Sequence, residues 1–232
     1  MRATGEGRYR LVLLDADDTL FDFKACERAA LREALGEFGI PWGDSAFEEY
    51  ARANGEAWAA FEKGALTHET LKTRRFEDFL RRMGIEGDAG ALGALYVERL
   101  SEQGILMPGA EAVLEDLSAS YLLALVTNGI KEVQRRRLGG SPIARYFAAA
   151  IISGEAGFAK PDPRMLEAAA KAVGFSDKSR MVMVGDSLSS DILAGINYGI
   201  DTVWLNPKGE GCGETRPTYE IRELAELPGV LR

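Results

Sequence analysis

The sequence predicts an α/β fold: a doubly wound parallel-sheet (Rossmann-like) core with an inserted α-helical cap. Three observations carry that expectation. Short apolar runs recur at Leu11–Leu14, Tyr121–Val126, Ala149–Ile152, Met181–Val184 and Thr202–Leu205, and such runs suit strands buried on both faces. From the second run onward, helical patterns separate them, and strand–helix alternation implies a parallel sheet. Between the first two runs lies a long stretch, from about Phe23 to Ile105, with no strand pattern.

That stretch reads as helices over Lys24–Phe38, Ser45–Glu62, His68–Met83 and Asp88–Gln103. Gly39-Ile40-Pro41, Gly64 and the segment Gly84–Gly87 punctuate them. So many helices exceed one crossover. The expected organisation is therefore a core from residues 1–22 and 106–232 and a cap from 23–105. Asp22-Phe23 and Gly104–Pro108 would link the two. After the strands, Tyr219–Leu227 reads as a short edge strand or extended piece followed by a helix. Gly209–Glu214 lacks the strand-to-helix context of a phosphate loop and reads as a surface loop.

Composition narrows the function classes. The 232 residues are 46% hydrophobic and 28% charged, an ordinary globular balance. The net charge of −8 argues against a nucleic-acid polymer or an anionic membrane surface as partner. It leaves room for a small phosphorylated metabolite, because a metal and a lysine can reverse the local field. Cys26 and Cys212 match no metal or redox spacing. The stretch Met1–Arg10 has no long apolar core. With no signal peptide or membrane span in view, the expected location is cytoplasmic. The expected state is a monomer or homodimer.

The chemistry concentrates at strand ends, where open α/β sheets bind ligands. Leu11–Leu14 delivers Asp15, Asp17 and Thr19 to one such end. Two carboxylates that close repel unless a cation or a proton holds them, and Mg²⁺ with a substrate phosphate is the simplest partner. The plainer reading is an acidic turn. Thr127 and Asn128 follow the second strand, where a hydroxyl and backbone N–H groups can hold phosphoryl oxygens, or merely cap a helix. Lys160, before Pro161, is alone a surface charge. Asp186 ends the Met181–Val184 run and Asp191 follows a turn or two later, where a helix cap is the plain alternative. Taken together, these residues outweigh the plain readings.

The pattern D-x-D-x-T at Asp15–Thr19, T-N at Thr127-Asn128, K-P at Lys160-Pro161 and G-D-x-x-x-x-D at Gly185–Asp191 resembles the haloacid-dehalogenase-like hydrolase superfamily. The helical insertion matches its branch with a cap after the first motif. The resemblance implies a phosphatase. Asp15 would be the nucleophile and Asp17 the general acid/base. Asp15, the Asp17 carbonyl and Asp186 would hold Mg²⁺. Thr127, Asn128 and Lys160 would bind the phosphoryl group, and Asp191 would organise the metal waters or Lys160. Weaker similarity around Phe21–Phe23, Glu62–Thr67, Arg75–Glu77 and Gly199–Pro207 resembles the pyrimidine 5′-nucleotidase branch. That branch often carries an acidic residue at the Asp18 position.

The alternatives are a phosphoglycolate or sugar-phosphate phosphatase, a phosphosugar mutase, a carbon–halogen-cleaving dehalogenase, and a non-catalytic phospho-accepting module. The dehalogenase needs no metal nest, and the receiver-type module is usually small and cap-free. In the insertion, Trp58, Phe61 and Phe76 read as cap core, Lys63 and Arg75 as solvated charges, and His68 as a surface residue at a helix start. The cap is expected to act as a lid.

Overall fold

The six strands β1 (Leu11–Leu14), β2 (Leu122–Thr127), β3 (Ala149–Ile152), β4 (Met181–Gly185), β5 (Asp201–Leu205) and β6 (Tyr219–Ile221) lie in the order β3-β2-β1-β4-β5-β6. Every neighbouring pair is parallel. The computed structural model describes residues 7–232, apart from the Glu62 side chain; most of the stretch Met1–Arg10, read above for a leader, lies outside the described residues. The chain divides into two compact units. One comprises Met1–Asp22, Leu106–Lys131 and Leu138–Arg232; the other comprises Phe23–Ile105 and Glu132–Arg137. The segment 132–137, assigned to the core by sequence, thus groups with the helical unit, and Glu132 pairs with Lys72 and Arg136 with Glu102.

In the first unit, alternation along each strand builds a core on both faces of the sheet. Val12, Leu14, Leu123, Leu125, Val182 and Val184 point one way, toward α5 (Ala110–Ser118) and the C-terminal helix Leu227–Leu231. Leu11, Leu13, Ala124, Val126, Met181 and Met183 point the other way, toward Met165, Leu166 and Ala169 of the helix Arg164–Ala172. All twelve of these strand residues are buried. The second strand starts one residue later than the apolar run suggests. The N–H of Tyr121 bonds Leu117 and closes the end of α5, while that of Leu122 bonds Arg10 and opens the ladder. The two ends of the insertion meet where Phe21 bridges Leu106 and the Met107 N–H bonds the Leu20 carbonyl. The order of strands reverses around β1, so the carboxyl ends of β1, β2 and β4 adjoin at a topological switch point.

The second unit contains α1 (Phe23–Glu37), α2 (Asp44–Glu62), α3 (His68–Met83) and α4 (Ala89–Glu102). Local signals set the boundaries. Thr67 and Thr70 form a reciprocal cap at the start of α3, and Asp88 caps α4 through the Ala91 N–H. Gly93 allows α4 to approach α3 closely, since a Cβ there would lie 2.7 Å from the Lys72 carbonyl oxygen. Phe76 is fully buried against Tyr50 and Tyr96.

Three expectations for this unit change. Arg75 is 1% exposed rather than solvated. Its Nη1 donates to Asn54 Oδ1 at 3.2 Å, and its guanidinium lies 4.6 Å from the Tyr96 ring centre. Asn54 in turn donates to Glu27 Oε1 at 2.7 Å, so the polar groups are buried together. Trp58 and Phe61 are only half-buried, and His68 joins them rather than facing solvent, with its ring 4.4 Å from that of Phe61. Burial holds the His68 imidazole below its ordinary range. Aromatic spacing alone does not distinguish such a partly wet cluster from a dry core.

Candidate active site

Asp15 sits one residue beyond β1, where its N–H bonds the Val184 carbonyl and prolongs the β1–β4 ladder. The chain then curls back. The Leu20 and Phe21 N–H groups both bond the Ala16 carbonyl, and the Asp18 N–H bonds that of Phe21. Asp18 occupies the left-handed region at φ 58°, a conformation aspartate tolerates better than most residues. The turn leaves Asp15 buried and Asp17 half-buried.

Lys160 is the hub of the site. Its Nζ lies 2.5 Å from Asp15 Oδ1 and 2.6 Å from Asp191 Oδ1, and it donates to the Val126 carbonyl at 2.6 Å. Its side chain is 1% exposed, so the surface-charge reading fails. Asn128 fixes the backbone of this lysine. Its Nδ2 donates to the Lys160 carbonyl at 2.8 Å, and its Oδ1 accepts from the Lys160 N–H at 2.7 Å. The Lys160-Pro161 peptide is cis. Asn128, read from sequence as a substrate-binding residue, thus has its side chain engaged with Lys160 and, through Nδ2, with Ser190 Oγ at 3.2 Å. Thr127, at the end of β2, accepts from the Gly129 N–H at 3.1 Å and closes its turn. That bond leaves the hydroxyl proton free to donate.

The third acidic arm follows β4. Ser187 caps the π-turn Leu188–Ile192 by accepting from the Ser190 N–H, and that turn swings Asp191 back. Asp191 Oδ2 then accepts from the Ser187 N–H at 3.0 Å. Gly185 is required here, because a Cβ would collide with the Asp191 carboxylate. Oxygens of Asp15, Asp186 and Asp191 lie within 4.8 Å of one another. The Asp17 carboxylate lies outside this trio, and the ligand expected from Asp17 is its backbone carbonyl, not its side chain.

The electrostatics follow from that crowding. Burial pushes the Asp15 carboxyl up to about 7, with Lys160 pulling against it and Asp191 and Asp17 pushing with it. Burial, then the charges of Asp191, Asp15 and Asp18, push Asp186 up to about 8. Burial alone would lower the Lys160 ammonium, yet Asp15 and Asp191 hold it above the ordinary lysine range. One buried ammonium faces three carboxylates. Among the described residues, both Asp191 oxygens are engaged, whereas Asp186 has no side-chain ion pair or hydrogen bond. A crowded group of hard oxygen donors short of positive charge fits a divalent cation such as Mg²⁺.

Ser190, the Ser187 N–H, the Val126 carbonyl and Trp204 were not singled out by sequence. Only the S-x-x-S spacing of Ser187 and Ser190 hints at a cap; a carbonyl and a tryptophan on a neighbouring strand leave no local pattern.

The sequence matches the haloacid dehalogenase-like hydrolase family over residues 9–199. It is 35% identical to the HAD-hydrolase YfnB of Bacillus subtilis, covering 97% of this chain and 96% of that protein. A crystal structure of YfnB, described as bound to magnesium and revealing interdomain movement, superposes with a TM-score of 0.91 at 34% identity, covering 97% of this chain and 99% of the other. The pyrimidine 5′-nucleotidase YjjG of Escherichia coli is 32% identical, over 95% of this chain and 96% of its own length. The pyrimidine 5′-nucleotidase PynA of Streptococcus pneumoniae is 34% identical, over 94% and 93%. Among the described residues no helix is long and apolar enough to cross a membrane. This chain belongs to the haloacid dehalogenase-like hydrolase family.

Proposed function

We propose that the protein is a Mg²⁺-dependent phosphomonoester hydrolase that acts through an aspartyl-phosphate on Asp15, with nucleoside 5′-monophosphates, pyrimidines foremost, as substrates. One observation carries the reaction class: the Lys160 ammonium is shared between Asp15 and Asp191, with Asp186 beside them. An anionic nucleophile can accept an anionic phosphate only where positive charge surrounds both. The substrate class is supported by YjjG and PynA, both pyrimidine 5′-nucleotidases.

Asp15, Asp186 and the Asp17 backbone carbonyl would hold Mg²⁺. When bound, the ion supplies positive charge that lowers repulsion between Asp15 and the entering phosphate. Asp15 Oδ attacks phosphorus as the ester P–O bond breaks, and the Asp17 carboxyl gives its proton to the leaving oxygen. Asp17, now ionised, takes a proton from water, whose oxygen attacks the phosphoryl group. The bond to Asp15 breaks and inorganic phosphate leaves. The Lys160 ammonium and the Thr127 hydroxyl stabilise the phosphoryl oxygens, while Asp191 holds Lys160 in place. A nest of three carboxylates offers nothing to carbon–halogen cleavage, so the dehalogenase reading is not favoured.

The test is phosphate release from uridine and thymidine monophosphates, phosphoglycolate and hexose phosphates, with and without Mg²⁺. The reading expects the nucleotides to lead in kcat/KM and chelation to abolish turnover. A tenfold advantage for another phosphoester, about 1.4 kcal/mol, would remove the nucleotidase label and leave the phosphatase. Isomerisation of a hexose phosphate with little free phosphate would point to the mutase.

A further inference from the structure

Trp204 lies in β5 and is 3% exposed. Its register partner in β4 is Gly185, one residue before Asp186. The indole Nε1–H donates to the Asp186 main-chain carbonyl at 2.8 Å. The other polar group of the same peptide unit, the Ser187 N–H, donates to Asp191 Oδ2 at 3.0 Å. A trans peptide is planar and presents its C=O and N–H on opposite edges. The Asp186–Ser187 peptide is therefore held from both sides, which fixes the backbone rotation that aims the Asp186 side chain. Beyond Asp191 the connections continue through Lys160 to Asp15. Among the described residues, the Asp186 carboxylate has no side-chain partner of its own to orient it. Its direction depends on the peptide that follows it.

We infer that Trp204 is a positioning residue for the cation site: its indole N–H fixes the Asp186–Ser187 peptide and so sets the Asp186 carboxylate for a divalent metal. The inference rests on the metal reading given above. It assigns the tryptophan a role that its burial alone does not require, because a phenylalanine would fill most of the same space without the donor. Groups that orient a ligand from behind commonly govern metal affinity by tenfold or more.

The experiment is Mg²⁺ titration calorimetry on the full-length wild type and on Trp204→Phe. The variant is expected to bind Mg²⁺ roughly tenfold more weakly. A Phe variant that binds as tightly as a binding wild type overturns this inference alone. A wild type that binds no Mg²⁺ overturns the metal reading and this inference with it. A second arm keeps the test decisive if Trp204→Phe does not fold. Of the three tryptophans, Trp42 and Trp58 lie in the helical unit, so a Trp42→Phe/Trp58→Phe background leaves Trp204 as the sole indole. Its emission should shift on Mg²⁺ addition with the midpoint found by calorimetry. A flat emission across that midpoint overturns the inference.

Discussion

Asn128 holds Lys160 by both of its main-chain polar groups, accepting from its N–H at 2.7 Å and donating to its carbonyl at 2.8 Å. The pair joins residues 32 apart in sequence and works as one rung of a ladder, with a side-chain amide in place of a strand. It fixes where the lysine stem starts, and hence where the ammonium arrives between Asp15 and Asp191. Asn128→Ala is expected to lower kcat/KM by about 10- to 100-fold through misplacement of Lys160. Phosphate inhibition should weaken in parallel. Wild-type kinetics in a folded Asn128→Ala protein would show that Lys160 is held without it.

Asp15 and Lys160 separate chemistry from charge balance. Asp15→Asn keeps the size and removes the nucleophilic charge, so phosphate release should fall by orders of magnitude while the protein stays folded. Undiminished release by that variant sinks the aspartyl-phosphate mechanism. Lys160→Met should cost both activity and stability, since it leaves Asp15 and Asp191 buried without their counter-charge. Breaking such a buried pair costs about 3–5 kcal/mol. Chemical denaturation of the metal-free variant measures it, and adding Asp191→Asn should restore part of the loss.

The strand ends of the candidate site were readable because each depends on local rules: an apolar run, then an acidic or hydroxyl residue where the run stops. β1, β3 and the carboxylate Asp186 at the end of β4 follow from that signal alone. What depends on long-range packing was not readable. The resemblance left Asp191 to the metal waters or to Lys160; the π-turn, which no local pattern announces, brings its Oδ1 to the lysine. Arg75 carries a charge that sequence places in solvent, and the partners that accompany its burial, among them the Asn54 acceptor and the Tyr96 ring, come from other helices and leave no local pattern. Tyr121 belongs to the apolar run by composition, yet its N–H closes a helix.

The raised carboxyls predict an unusual pH dependence for the metal-free protein. Asp15 and Asp186 stay protonated up to about 7 and about 8 in the folded state, while in the unfolded chain they ionise near 3.8. Between those limits the folded state binds more protons than the unfolded one. These two groups therefore make the protein less stable as pH rises from about 4 to about 8. Asp186→Asn should remove its share of that slope, so the metal-free variant should match wild type near pH 4 and melt higher near pH 8. Because Mg²⁺ competes with the same protons, its stabilisation of wild type should grow from pH 6 to pH 8. Equal Mg²⁺ shifts in Tm at both pH values would contradict this account.

The buried relay of Glu27, Asn54 and Arg75 ties together α1, α2 and α3, so changing it should separate the stability of the helical unit from the chemistry of the core. Arg75→Ala removes a side chain that is 1% exposed, opening a cavity beside Phe76 and Tyr96 and leaving the Asn54 acceptor and the Glu27 charge less well matched. The expected cost is about 3–5 kcal/mol in unfolding free energy. At 2–4 °C per kcal/mol, a lowering of Tm on the order of 10 °C follows. Arg75→Met, which refills much of the volume without a charge, should recover part of the loss. Neither change touches Asp15, Asp186 or Lys160, so Mg²⁺ affinity measured by calorimetry below the transition should stay at the wild-type value. A fall in Mg²⁺ affinity equal to that of a ligand variant such as Asp186→Asn would show that the relay acts on the core site and does more than hold α1, α2 and α3 together.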